Sequence, residues 1–380
     1  MAHASLAETG FGGTTAGPAQ VLIVDDSVVA RSVLGRMVEG TRRFRVAAAY
    51  SDVRAALEYL KTNSVDIILL DIEMPGIDGI TALPDVIAAG RGAKVLIVSS
   101  SAEQGAAVTV QALALGAADT LVKPGIGAFG GRFAEVLEER LSRLLEAHVH
   151  ALPEPAAQPV QAEPVYHAYA EPAAVAHHPT YQFPVQAPDN FDLVAIGAST
   201  GGIHALSQLL RAIPASFRVP ILVTQHLPVS FMSYFATQLA VLGGRPCEVA
   251  TDRMRIRAGR IIVAPGDAHM RVVRMSEGAA IRLTHEKALS GCMPSVDPMF
   301  ESVAEVFGAR ALGVVLSGMG RDGCEGAKDL VEAGAKVFAQ DRASSVVWGM
   351  PGAVANAGRV SAILPPDEIG RLIARGGGAA

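Results

Sequence analysis

Two doubly wound α/β domains joined by a spacer are the fold class this sequence predicts, on three observations. From Gln20 to Lys123, short β-branched runs alternate with helical stretches, and the same alternation returns from Asp192 to Gln340. Strands that alternate with helices form mostly parallel sheets covered on both faces. Between the two stretches, residues 148–190 hold eight prolines and ten alanines but no lysine or arginine. Such a segment buries too little apolar surface to offset its ordering entropy and behaves as a partly extended spacer. The expected division is a tail at 1–18, a first domain at 19–147, the spacer at 148–190, a second domain at 191–375 and a tail at 376–380. The spacer histidines His167, His177 and His178 have no cysteine neighbour or regular spacing and read as incidental rather than as a metal tract.

At 380 residues the chain has room for two such cores. Its hydrophobic fraction of 50% is inflated by alanine. No apolar run approaches the roughly 20 residues that span a bilayer, so no membrane insertion is expected. The first residues show neither the basic start nor the apolar core of a signal peptide. A net charge of -5 without a basic tract argues against nucleic acid as a partner. Three cysteines, Cys247, Cys292 and Cys324, show no metal-type spacing and no paired framework, which fits a reducing, cytoplasmic setting.

In the first domain the strand candidates are VLIVDD, FRVAAAY, DIILLD, KVLIVSS and DTLVK. Ligands of open parallel sheets gather at the carboxyl ends of strands. Those ends carry Asp25 and Asp26, then Asp71, Ser99, and Lys123 followed by Pro124. Close carboxylates repel one another and make a hard oxygen site suited to magnesium. Such a metal would neutralise an incoming phosphate and leave Asp71 able to attack phosphorus. Lys123 would pair with the new phosphoryl oxygens and Ser99 would hydrogen-bond one of them. Solvated loop acids explain any one of these positions, but poorly explain all five in this strand order. These residues, with the run DIEMPGIDG from Asp71 to Gly79, resemble the receiver domain of two-component response regulators. The resemblance implies a flavodoxin-like fold with Asp71 as phospho-acceptor. It also implies that Asp25, Asp26 and the main-chain carbonyl of Glu73 help hold Mg2+.

The second domain offers DLVAIG, PILVTQ, RIIVAPG, AIRLTH, ALGVVLSG and AKVFAQ as strands, with AIRLTH alternating like a half-exposed, antiparallel one. The first of them breaks at Gly197-Ala-Ser-Thr-Gly201, a G-x-S-x-G turn that lifts Ser199 out of the packed layer at the start of a helix. The unpaired amides and positive end of that helix favour negative charge close by. A phosphate-cradling loop or a plain tight turn looks the same until a base and an acid are found. Of the histidines, His204 lies on the following helix and points away, His269 falls in a loop after RIIVAPG, and His285 lies within AIRLTHE. His226 differs, because it ends PILVTQ at the same sheet edge as Ser199. Asp322, in the glycine loop LSGMGRDG, is the candidate to hold the imidazole and stabilise its charged form. For Asp322 alone, a glycine-loop turn former is the plainer reading. Three such residues from three strand ends point to nucleophilic acyl chemistry. Their order differs from the serine, acid, histidine order of an α/β-hydrolase, and serine at 199 breaks the G-x-G-x-x-G dinucleotide pattern.

Together with the first domain, IGASTGG, TQH, RIIVAPGDAHM, PSVDPMF, LSGMGRDG and SSVVWGMPGAV resemble the CheB-type chemotaxis methylesterases, which are protein-glutamate methylesterases and glutamine deamidases. The resemblance implies a mostly parallel, Rossmann-like catalytic domain with Ser199 as nucleophile, His226 as base and Asp322 as its orienter. It places the main chain of Met319 at the oxyanion site and Thr200 beside the nucleophile. Methyl-accepting chemoreceptors are the implied substrate and the histidine kinase of the chemotaxis system the implied phosphodonor. The resemblance further implies that Mg2+ serves receiver phosphorylation, that the ester hydrolysis takes no cofactor and that the unphosphorylated receiver packs over the catalytic face, and a monomer is expected. One position departs: where many members carry His-Arg before PSVD, this chain has Cys292-Met293. The competing reading is a non-enzymatic module whose second domain binds a nucleotide or partner protein under the receiver's control. A DNA-binding output is opposed by the αβ pattern and the lack of basic clustering.

Overall fold

The structure, a computed structural model, describes residues 17–76, 78–99, 105–123, 131–149 and 190–376. Nearly all of the expected spacer and tails, with Pro124, His167, His177 and His178, lie outside these residues.

The first domain runs β1 (Ala19–Val24), α1 (Val28–Gly40), β2 (Phe44–Tyr50), α2 (Val53–Thr62), β3 (Ile67–Asp71), α3 (Gly79–Gly90), β4 (Lys94–Ser99), α4 (Gly105–Leu115), β5 (Asp119–Val122) and α5 (Gly131–Val149). Its five strands are parallel in the order β2-β1-β3-β4-β5. Strand β3 is buried along its whole length because both faces of the sheet are covered, which is why it and its neighbours β1 and β4 read as runs of Val, Ile and Leu. Strand order reverses between β1 and β3, and the crevice at their carboxyl ends collects Asp25, Asp26 and Asp71.

The second domain runs β6 (Leu193–Ala198), α6 (Gly202–Arg211), β7 (Ile221–Gln225), α7 (Val229–Gly243), β8 (Cys247–Val249), β9 (Ile261–Val263), β10 (His269–Arg274), β11 (Ala279–Thr284), α8 (Val296–Phe307), β12 (Ala311–Val315), α9 (Cys324–Glu332), β13 (Lys336–Gln340), α10 (Met350–Asn356), β14 (Ala362–Leu364) and α11 (Pro366–Gly376). Seven strands form one parallel sheet in the order β14-β13-β12-β6-β7-β9-β8. Strand β6 sits centrally, with β12 on one side and β7 on the other. Along it, Leu193 and Ala195 face the core under α8, α9 and α10, while Val194, Ile196 and Ala198 face the core under α6, α7 and α11.

The expected antiparallel strand AIRLTH is β11, but it pairs with β10 in a separate two-stranded sheet rather than joining the main one. Strands β8, β10 and β14 are additions to the expected set. Two of them are only three residues long, too short to show a period. The third, HMRVVR, carries arginines that mask its inward row of Met270 and Val272.

The two domains meet where α4 packs on α6 and α7, and apolar residues of both, Leu113 and Leu206 among them, share one continuous cluster. The carbonyl of Ala114, in the last turn of α4, lacks an intrahelical partner, as helix ends do. It accepts from His204 Nδ1 at 3.0 Å and from Ser207 Oγ at 3.3 Å, both on α6. His204, expected to point away from the serine, does so by closing this contact.

Phe300 on α8 is fully buried in the core beneath the β12 end of the sheet. Phe300→Ala is expected to lower the stability of the second domain by about 3–5 kcal/mol. Urea unfolding followed by circular dichroism checks this, and a loss under about 1 kcal/mol would contradict the packing described.

Candidate active site

Strand β6 ends at Ala198 and α6 starts at Gly202, so Ser199, Thr200 and Gly201 alone make the turn. Gly201 holds a φ of 75°, which disfavours a side chain, and a Cβ there would stand 2.4 Å from Val346 Cβ. The turn is tied to its neighbours on both sides. Ser199 N–H donates to Ser317 O at 3.0 Å and Ser317 Oγ donates to Thr200 O at 2.8 Å. From the other side, Gln225 Nε2 donates to Ser199 O at 2.9 Å. The loop after β12 passes so close that a Cβ on Gly318 would stand 2.9 Å from Ser199 Cβ. Among the described residues, the main-chain N–H groups of Thr200 and Met319 have no hydrogen-bond partner, whereas that of Ser199 is spent on Ser317.

His226 follows β7 directly. Its Nδ1 stands 3.1 Å from Ser199 Oγ and its Nε2 stands 2.7 Å from Asp322 Oδ2. An ionised carboxylate only accepts, so Nε2 carries a proton and, in the neutral ring, the Nδ1 lone pair faces the serine hydroxyl. Asp322 is 2% exposed and its oxygens are fully engaged. Ser295 Oγ donates to Oδ1 at 2.6 Å, Gly323 N–H donates to Oδ1 at 3.1 Å, and Val296 N–H donates to Oδ2 at 2.8 Å. Ser295 is the N-cap residue of α8 but makes no capping bond of its own. Asp322 serves instead, reaching over from the loop after β12 to satisfy the first N–H of α8.

These contacts set the charges. Burial opposes ionisation of Asp322, yet the His226, Ser295 and Val296 donors outweigh it and hold the carboxyl below the usual carboxylate range. Burial likewise opposes charge on His226, but the Asp322 carboxylate, with the Cys292 thiol close by, raises the imidazole to about 9. Asp297, whose Oδ1 accepts from Gly326 N–H at 2.8 Å, is pushed upward by burial and by the neighbouring Asp322 charge.

In the first domain, side-chain oxygens of Asp25, Asp26 and Asp71 lie within 4.8 Å of one another. Lys123 Nζ pairs with Asp25 Oδ2 at 2.7 Å and with Asp71 Oδ2 at 2.6 Å, and Glu73 N–H donates to Asp71 Oδ1 at 3.1 Å. Ser99 is buried at the end of β4, its carbonyl accepting from Lys123 N–H at 2.7 Å. Burial raises the Asp71 carboxyl despite Lys123. It also opposes the Lys123 charge, but the two carboxylates prevail and raise that group. Three carboxylates against one ammonium leave the crevice short of positive charge, and an all-oxygen set of this kind suits Mg2+.

Comparison with known proteins covers both domains. Residues 194–373 match the CheB methylesterase family model and residues 21–127 match the response regulator receiver domain. A protein-glutamate methylesterase/protein-glutamine glutaminase of Paramagnetospirillum magneticum is 39% identical over 92% of this chain and 94% of its own length. One of the group 2 operon of Bradyrhizobium diazoefficiens is 41% identical over 95% and 94%. The chain belongs to the CheB methylesterase family. Among solved structures, the catalytic domain of the Thermotoga maritima CheB methylesterase is 31% identical, covering 48% of this chain and 98% of that one with a TM-score of 0.47.

Within this CheB-family chain, Ser199, His226 and Asp322 form one hydrogen-bonded row, with Thr200 next to the serine and Met319 in the loop whose Gly318 packs on it. Asp25, Asp26, Asp71, Glu73, Ser99 and Lys123 gather in the other crevice. His269, expected in a loop, instead opens β10 with its ring buried. Its Nδ1 accepts from Ser295 N–H at 2.9 Å and its Nε2 donates to Glu286 O at 2.8 Å, which steadies the serine that holds Asp322. His285, expected within a strand, follows β11 and is exposed. Sequence reasoning missed Ser295 and the Val296 N–H as partners of Asp322, and Cys292 as a neighbour of His226. A serine before an apolar helix start is a capping signal, but nothing local shows that the cap is filled by a residue 27 positions away.

The His226 imidazole is expected to titrate near 9 instead of 6.5, and Asp322→Asn is expected to bring it down. By linkage, a raised histidine adds stability that is complete below 6.5 and fades as the pH climbs through about 9. NMR titration of the ring protons checks both, and a wild-type midpoint at the ordinary histidine value would contradict the pairing.

Proposed function

We propose that this chain is a phosphorylation-controlled protein-glutamate methylesterase that hydrolyses glutamate γ-methyl esters on methyl-accepting chemoreceptors and deamidates receptor glutamines at the same site. The supporting observation is the row Ser199, His226, Asp322 at the carboxyl ends of three neighbouring strands, in a chain whose relatives bear that activity in their names. Ser199 Oγ attacks the side-chain carbonyl while Nδ1 of the neutral His226 ring takes its proton, so the rate rises as the pH climbs toward the imidazole value of about 9. Asp322 stabilises the imidazolium that results, and the ring then returns the proton to the departing methanol. Water cleaves the acyl-enzyme by the same route in reverse. The ring is used with Nδ1 toward the serine, the opposite of the chymotrypsin arrangement.

The Thr200 and Met319 N–H groups are the proposed oxyanion donors, being the free amides beside Ser199. Each such donor contributes about 3–4 kcal/mol to the transition state. The proposed steps draw on no cofactor, and a glutamine amide enters the same acyl chemistry with ammonia as the leaving group.

Asp71 is the proposed phospho-acceptor, with the chemotaxis histidine kinase as donor. Mg2+, held by Asp25, Asp26, Asp71 and the Glu73 carbonyl, would supply the charge neutralisation that lets a phosphoryl group approach three carboxylates. Lys123 moves its pairing from the carboxylates to the phosphoryl oxygens, and Ser99 hydrogen-bonds one of them. The route to the esterase is short. Helix α4 follows β4, which ends in Ser99, and lies against α6, whose first turn begins just after Ser199. About -1.5 to -2 added charges at Asp71 loosen this contact and open the catalytic face. In this reading the chain works as a cytoplasmic monomer.

Methanol release from methylated receptor should rise when a small phosphodonor is added. Residues 189–380 alone should match or exceed that rate without the donor. Ser199→Ala should fall to background. Retained turnover in that variant would remove the nucleophile assignment, and a shortened chain no faster than the unphosphorylated full chain would count against occlusion by the receiver.

A further inference from the structure

We propose that a thiophilic divalent cation of the Zn2+ class binds between Cys292, His226 and Asp322 and reversibly switches the esterase off. The site itself stands on geometry, while the inhibitory consequence rests on the esterase reading above. Cys292 Sγ, a ring nitrogen of His226 and a carboxylate oxygen of Asp322 all lie within 4.8 Å of one another. One sulfur, one nitrogen and one oxygen make a donor set that favours zinc over magnesium, the reverse of the all-carboxylate crevice in the first domain. With zinc bonds of 2.0–2.3 Å, tetrahedral ligand atoms sit ~3.3–3.8 Å apart, so the cluster needs to contract by about an ångström.

The surroundings permit that contraction. Cys292 is half-buried between exposed Gly291 and Met293, so its thiol lies where a cation can reach it from solvent. The same loop is tied to the carboxylate: Cys292 N–H donates to Ser290 Oγ at 3.2 Å, Ser290 Oγ donates to Ser295 Oγ at 3.0 Å, and Ser295 Oγ donates to Asp322. These hydrogen bonds would orient the ligands from behind. Asp322 Oδ2 keeps the Val296 N–H and exchanges the imidazole N–H for the cation.

The charges balance. Thiolate and carboxylate together neutralise two positive charges, the imidazole binds neutral, and the thiol and ring protons pass to solvent. A metal-bound imidazole that has lost its carboxylate partner can no longer carry the proton from Ser199, so ester cleavage stops. Three protein ligands leave a fourth position open beside the serine, filled by water.

The test uses the full chain in saturating Mg2+, which fills the acidic crevice, with Co2+ as a coloured substitute for Zn2+. Wild type should show one equivalent of a thiolate-to-cobalt charge-transfer band that Zn2+ displaces. Cys292→Ser, which keeps Cys247 and Cys324, should lack it. In parallel, Zn2+ should abolish methanol release and a chelator should restore it. Cys292→Ser should need at least about tenfold more Zn2+ for the same fractional loss. No band in wild type, a band that survives Cys292→Ser, or equal Zn2+ sensitivity of the two proteins would overturn the proposal. The band reports the site even if the chain proves to hydrolyse no ester. A missing band alongside normal methanol release removes only the metal site.

Discussion

The buried carboxylate of Asp322 is the interaction on which the catalytic face depends. A charge removed from water costs several kcal/mol unless it is paired and hydrogen-bonded. Here the compensation comes from three elements at once: the N-terminus of α8, the hydroxyl of Ser295, and the imidazole at the end of β7. The same oxygens thereby cap a helix, join that helix to the loop after β12, and fix the ring that faces Ser199. Small residues make the approach feasible, since Gly318 brings the loop after β12 against the serine and Gly201 lets the serine's own turn close on Val346 and Ser317. Stability and site geometry are thus the same set of contacts.

Two neighbouring acids in this face carry opposite perturbations. Asp322 is held ionised by its donors, while Asp297 beside it is raised by burial and by that charge. Close carboxylates divide in this way because full charge on both is costly. In the receiver crevice the imbalance is different: three acids share one lysine. The surplus charge there is what a metal and a phosphoryl group would change together. The domain contact has a strength such a change can address. It consists of an apolar patch and two hydrogen bonds to one helix-end carbonyl, and each such bond contributes only about 1 kcal/mol net.

Much of the fold was legible because parallel strands buried on both faces read as apolar runs, and because polar residues fall where those runs stop. Asp71, His226 and Asp322 were visible for that reason. The hairpin β10–β11 was half legible: AIRLTH alternates clearly, but its partner hides behind arginines, so His269 looked like a loop residue. Strands β8 and β14 were too short to carry a pattern. The partners of Asp322 were not legible, because a side chain capping a helix from a distant loop leaves no local signature. Cys292 was noticed only as a departure before PSVD. Its place beside His226 and Asp322 brings together three separate loops, and spacing along the chain does not encode it.

The central claim is that Asp322, through His226, makes Ser199 a nucleophile. Its most direct measurement is the rate and site of labelling by a fluorophosphonate, read by mass spectrometry of the digested protein. The account predicts one adduct, on Ser199, formed far more slowly in a folded Asp322→Asn variant. Labelling at another residue, or labelling of Ser199 at an unchanged rate in that variant, would contradict it.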